Sequence, residues 1–429
     1  MPSPTEYLDR RRERAAAAWA IADEIVLVGA GEPISIPGGA DQVYPFLAHS
    51  EFFWLADREV PGGVVAYDPK SGWVDFAPAV TEAERVWEGG REEWGTPIQE
   101  LPAWLQARRG RPVVNLGSPL PGVPPGGGRA EELRAMLSHA RRPKDEVELT
   151  RMRRAAEATA AGFEAARRTI RPGVTERDVQ VELEAEFFRR GGDRTAYGTI
   201  VGAGSNAAVL HFSPTDRVIE AGDVVLIDAG AEVGRYDSDI TRTYRAGKPD
   251  GFFRDLYQVV LGVEQRGVAR CVAGAEWRDV HLAAAHEIAE GLIALGLLRG
   301  SASSIVDQDA HALFFPHGLG HLVGLGVRDA SGYLPGRQRS TRPGLSMLRT
   351  DLPLQPGYVI TVEPGIYFIR ALLDDPERRA KYRDAVDWSR VDGLLDFGGI
   401  RIEDNAHVTQ GEPEVLTQAV PKTLEAIAV

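Results

Sequence analysis

Two apolar runs in this chain end on an acid. VVLIDAG carries four apolar residues straight into Asp228, and VITVEPG does the same into Glu363. Neither run alternates apolar with polar residues, so both read as strands covered on two faces. An ionised carboxylate there costs several kcal/mol unless it is paired or metal-bound. The same peculiarity recurs at Asp239 in SDITRTY, at His321 in FFPHGLGH and at Glu403 in GGIRIED, where a metal-capable side chain interrupts or ends an apolar or glycine-rich segment. Arginine partners could satisfy one of these acids; a metal could satisfy all of them.

Alternate residues of a strand share a face, which puts Asp239, Thr241 and Thr243 together, and Arg401 with Glu403. Each strand thus offers an acid and a polar neighbour inward. Taken singly, each acid also reads as a turn residue or an ion-pair partner. Together, on glycine-flanked strands beside a PHGLGH loop, they favour a metal site. Four carboxylates and one imidazole suit Mn²⁺, Co²⁺ or Zn²⁺ better than a soft ion. They also exceed one ion's usual need, so two ions bridged by carboxylates are expected, an arrangement that activates water for hydrolysis. The zincin pattern is excluded, because no Glu follows His317.

A chain of 429 residues exceeds what one core usually holds, and two domains are expected. Short apolar runs at 25–28, 52–56, 62–68 and 112–117 follow a helical start and predict a mixed α/β domain over 1–130. IVLVGAGEP within it imitates a dinucleotide fingerprint, but Pro33 and Ile34 stand where the third glycine and the helix start are needed. The Pro/Gly-rich stretch 117–130 reads as the linker. From 144 to 429 the pattern is α+β, opening with an amphipathic helix after Asp145 and a capping box from Thr175 to Asp178.

A net charge of −13 argues against a nucleic-acid or anionic-membrane partner. The lone cysteine, Cys271, excludes an internal disulfide framework, and no apolar stretch is long enough to span a membrane or to form a signal-peptide core. A cytoplasmic protein is the expectation.

LHFSPTD, LIDAGAEVGRYDSDITRTY, FFPHGLGH, TVEPGIYF and GGIRIEDN, in that order, resemble the motifs of the pita-bread metallopeptidases, the group that holds methionine aminopeptidase, aminopeptidase P, prolidase and the metal-free creatinase. YPFLAHSEFFWLADREVPGG resembles the smaller N-terminal domain of its prolidase and aminopeptidase P branches. The resemblance implies a pita-bread catalytic domain behind a creatinase-like α/β domain, a homodimer, and a proline-containing dipeptide or short peptide as substrate. It implies that Asp228, Asp239, His321, Glu363 and Glu403 hold two divalent ions, Mn²⁺ by preference, with Asp239 and Glu403 bridging. It further implies that Glu363 takes the proton of the attacking water and that His211 and His317 face the substrate.

Within the group, two features point to Xaa-Pro dipeptides, the prolidase reaction. Arg349 stands where the prolidase arginine that binds a dipeptide's free carboxylate is found, and a guanidinium fork matches that group bidentately. The excursion RALLDDPERRAKYRDAVDWSRVDGLLDF also resembles prolidases, whereas LRGSASSIVDQDAHALFF resembles aminopeptidase P, which removes the first residue of longer Xaa-Pro peptides. The chain departs from the family at Arg328, where VRD replaces the usual VHD. An arginine donates but cannot accept or share a proton near neutral pH, and a substrate-binding role or a pairing with Asp329 are the readings open to it. That departure, with metal-free relatives, also keeps a catalytically silent binding protein among the possibilities.

Overall fold

The computed structural model describes residues 4–124 and 126–429. The chain forms two compact units, Met1–Arg141 and Arg142–Val429.

The first unit is built on a five-stranded sheet in the order Thr96–Pro97, Gly72–Ala77, Val64–Asp68, Ile25–Gly29, Val113–Gly117. Ile25–Gly29 is buried along its whole length, pairing antiparallel with Val64–Asp68 and parallel with Val113–Gly117. That is the reason its apolar run does not alternate. The run at 52–56 departs from the strand pattern of its neighbours: Ser50–Ala56 is a helix whose first turn is capped by the His49 side chain. Phe52, Phe53, Trp54 and Leu55 are all buried, so a short helix reads as an unbroken apolar stretch that periodicity cannot tell from a strand.

The stretch 117–130 does not separate the two units. Gly127–Arg141 is a helix of the first unit, with Leu133 and Leu137 fully buried and the Leu133 carbonyl accepting the Trp19 indole N–H at 3.0 Å. The Pro/Gly-rich segment therefore joins a strand to a helix inside one unit, and the division falls after Arg141 rather than at 130.

The second unit opens with helices Glu146–Thr169 and Glu176–Arg189, both started by capping boxes, Asp145 with Glu148 and Thr175 with Asp178. Strands Ile240–Arg245, Val224–Ala229 and Ile200–Ala203 form one antiparallel sheet in that order. Val359–Val362, Asp404–His407 and Glu414–Val415 form a second, and Gly365–Tyr367 pairs with Gly399–Arg401. Single bridges, Thr241 to Glu403 and Leu322 to Ile360, tie these pieces together around the acids. Helices Gly251–Ala269 and Trp277–Ala294 pack into the same core, and the excursion after residue 369 folds into the short helices Arg370–Leu373, Pro376–Lys381 and Trp388–Asp392. This is the α+β architecture expected from the motifs. Among the described residues, no helix is long and apolar enough to cross a membrane.

Candidate metal centre

All nine residues singled out in the sequence line one cavity of about 650 Å³ in the second unit. Its floor is made by strand ends. Asp228 sits near the end of Val224–Ala229 and faces Thr241 across the ladder, while Asp239 leads into Ile240–Arg245. Glu363 follows Val359–Val362, and Glu403 lies between two strands, bridged to Thr241.

Asp239, His321 and Glu403 each present a ligand atom within 4.8 Å of the others, and all three are buried. His321 Nδ1 faces the Leu322 carbonyl at 3.2 Å, which fixes the proton there and turns the Nε2 lone pair towards Asp239 (3.5 Å) and Glu363 (3.7 Å). Burial, then the neighbouring carboxylates, push Asp239 and Glu403 well above the usual carboxylate range. Burial, opposed by Arg401 and reinforced by Asp228, pushes Glu363 up to about 7. Burial lowers His321 to about 4 and His317 to about 3, so both rings are neutral at physiological pH. Carboxylates that resist ionising beside one another, with a neutral imidazole lone pair among them, form a donor set that a divalent cation would complete.

The backbone behind the acids is pinned. Asn405 accepts the Asp239 N–H at 3.0 Å and donates to the Asp239 carbonyl at 2.6 Å. The buried Arg242 guanidinium donates to the Glu403 carbonyl at 2.6 Å and to Asp404 at 2.8 Å. The Thr241 hydroxyl donates to Glu403 Oε2 at 2.7 Å and accepts from Arg401 at 3.0 Å, so Thr241 and Arg401 face the acids as expected, whereas the Thr243 hydroxyl bonds the Arg401 backbone instead, donating to its carbonyl at 2.9 Å.

Several contacts were not legible in the sequence. The Tyr197 hydroxyl lies between two of the acids, 2.6 Å from Asp228 and 2.5 Å from Asp239. No pattern marks it, since it stands 31 and 42 residues away from them. Arg401 donates to Asp228 at 2.5 Å and to the Tyr367 hydroxyl at 2.9 Å. Tyr367 is 2.9 Å from His317 Nε2, and His317 Nδ1 faces the Gly318 carbonyl at 2.9 Å. Both nitrogens of His317 therefore meet protein partners, whereas His211, exposed in the same cavity, makes no hydrogen bond among the described residues.

Arg349 and Arg328 also line the cavity, half-buried and exposed respectively. Arg328 does not pair with Asp329. That carboxylate is buried 3.1 Å from Lys144 Nζ and accepts the Leu325 N–H at 2.9 Å.

Residues 150–410 match metallopeptidase family M24. The chain is 38% identical to the human Xaa-Pro dipeptidase over 294 residues, 66% of this chain and 59% of that protein, so the match spans less than two thirds of the human relative. It is 32% identical over 450 residues to the Xaa-Pro dipeptidase of Xanthomonas axonopodis pv. citri, covering 98% of this chain and 99% of that one. Among solved structures, aminopeptidase PepP of Pseudomonas aeruginosa superposes with a TM-score of 0.81 at 29% identity, over 99% of this chain and 97% of that chain.

Proposed function

The chain belongs to metallopeptidase family M24, and from that membership we propose that it hydrolyses Xaa-Pro bonds, those of Xaa-Pro dipeptides foremost. The observation that carries the reading is the convergence of Asp228, Asp239, His321, Glu363 and Glu403 on one cavity that also holds Arg349. These five side chains would hold two divalent cations, Mn²⁺ by preference, with Zn²⁺ or Co²⁺ as substitutes. When bound, the cations polarise the scissile carbonyl and acidify water.

The remaining chemistry belongs to the chain. Glu363, a buried carboxylate in the cavity, would hold the proton taken from the attacking water. His211, with no protein partner, is free to donate to the substrate carbonyl. His317, engaged at both nitrogens, instead fixes the Tyr367 and Arg401 side chains beside Asp228. Arg349 has no acceptor among the described residues and would take the free carboxylate of a dipeptide. A single buried cysteine supports placing the enzyme in a reducing compartment, the cytoplasm, and family resemblance supports a homodimer.

A second reading, removal of the first residue from longer Xaa-Pro peptides, is supported by the likeness to aminopeptidase PepP along almost the whole chain. Metal-stripped protein reloaded with Mn²⁺ should release proline from Ala-Pro faster than it releases alanine from Ala-Pro-Ala. Arg349→Ala should lower kcat/KM for Ala-Pro by roughly 10- to 100-fold, and much less for the C-terminally amidated dipeptide. Faster cleavage of the tripeptide selects the second reading. No cleavage of either peptide, with metal bound, rejects both and favours a silent binding protein.

A further inference from the structure

Four arginines line the cavity, and they divide evenly. Arg401 is bonded to Asp228, Tyr367 and Thr241, and Arg177 to Gln180 and the Pro214 carbonyl. Arg328 and Arg349 make no hydrogen bond or ion pair among the described residues. The acid next in sequence to Arg328 is withdrawn from it by Lys144, as described above. The two unpaired guanidiniums feel each other: burial first, then the charge of Arg328, disfavours the protonated form of Arg349. Arg328 lines the same cavity as Glu363 and His321, at the reacting end and not on a remote surface. Two like charges held over one cavity without an acceptor are an electrostatic cost that bound anions relieve.

The proposed reaction provides one anion, the C-terminal carboxylate, and Arg349 takes it. A dipeptide with a neutral first residue leaves Arg328 uncompensated. We propose that this site selects peptides bearing two carboxylates, the free C-terminus on Arg349 and an acidic side chain on Arg328. This rests on the Xaa-Pro reading and adds a substrate class to it. The acidic side chain can come from the residue before proline or, in a longer peptide, from the residue after it; the guanidinium chemistry is the same. The histidine that relatives carry at this position holds no permanent charge near neutral pH, so Arg328 changes the preference and not merely the geometry.

The test compares isosteres. With Mn²⁺-loaded enzyme, kcat/KM is measured for Glu-Pro against Gln-Pro and for Ala-Pro-Glu against Ala-Pro-Gln, in the natural chain and in Arg328→Gln. The acidic member should be favoured by roughly tenfold or more in at least one pair, and the ratio should fall towards one in Arg328→Gln and shrink with added salt. Which pair responds identifies the source of the second carboxylate. Calorimetric titration of the four peptides onto the Mn²⁺-loaded Glu363→Gln chain should reproduce the order without turnover. Ratios near one in both pairs, or a preference unchanged in Arg328→Gln, overturn the proposal. If no Xaa-Pro peptide is cleaved, the underlying reaction is wrong, and the titration still decides whether the cavity selects the second carboxylate.

Discussion

The proposed reaction places two demands on the one carboxyl group of Glu363: to face a cation beside His321, whose Nε2 is 3.7 Å away, and to accept a proton. In the metal-free chain burial pushes it up to about 7, with Arg401 opposing the shift and Asp228 adding to it, and a bound cation would draw it back down. Glutamine keeps the shape of the side chain and removes the base. Glu363→Gln should lower kcat by about 100-fold or more. The check is turnover of Ala-Pro beside the metal content of the variant; near-natural turnover with metal retained would remove Glu363 from the base role. The same scale shows what spacing cannot encode. That Glu363 ends an apolar run is visible in VITVEPG, whereas the hydroxyl of Tyr197 between Asp228 and Asp239 is not, because nothing local distinguishes that tyrosine from a core residue.

Among the elements, the segment after Pro316 is the one that sequence describes least well. PHGLGH reads as a loop, yet its backbone is laid against a strand: Thr361 N–H donates to the His321 carbonyl at 2.9 Å, Glu363 N–H to Leu319 at 2.8 Å, and Val323 N–H to Val359 at 3.0 Å. Gly320 permits that approach. A Cβ added there would lie 1.9 Å from the Thr361 carbonyl oxygen, a backbone atom that cannot swing away. From the other side, His281 accepts the Leu319 N–H at 3.2 Å through Nδ1 and meets the Gly344 carbonyl at 2.7 Å through Nε2. One buried ring thus ties the histidine segment to the stretch leading to Arg349. Gly320→Ala should lower stability by about 1–3 kcal/mol and weaken metal binding with it. Urea denaturation and a Mn²⁺ titration measure both, and an unchanged midpoint with unchanged affinity would show that the strand pairing tolerates the clash.

For the whole molecule, burial of a neutral histidine ties stability to pH. Burial first, then the nearby His281, lowers His311 from 6.5 to about 4. A histidine in the unfolded chain gains its proton as pH falls below about 6.5, while the folded His311 stays neutral until about pH 4. The stability it contributes is therefore fully present above pH 6.5 and is lost as pH falls towards 4. The slope is at most roughly 1.4 kcal/mol per pH unit for the one residue. His311→Leu should flatten the fall in denaturation midpoint of the metal-free chain between pH 7 and about 4.5. Parallel curves for the two chains would mean that the ring is protonated in the folded state. The structure divides into two units, the second beginning at Arg142 beside the expected 144, and the first running on to Arg141 instead of stopping at 130. A Pro/Gly-rich run signals a break in regular structure and carries no information about which unit the next helix, Gly127–Arg141, packs on.

The sequence by itself determined the family, the α+β class of the second unit, the capped helix starts and the metal-capable group Asp239, His321 and Glu403. Each is written locally, as an acid ending an apolar run, a cap three residues before its partner, or a glycine where the backbone must pass closely. Only the tertiary structure decided how the polar groups divide among themselves. His317 is engaged at both nitrogens, Arg401 is committed to Asp228, Lys144 holds Asp329, and Arg328 and Arg349 are left without acceptors over the same cavity. Apart from His317 with its neighbour Gly318, those pairings join residues far apart in the chain. Which carboxylate a guanidinium meets depends on distances that exist only after the core has closed, and no local pattern carries them.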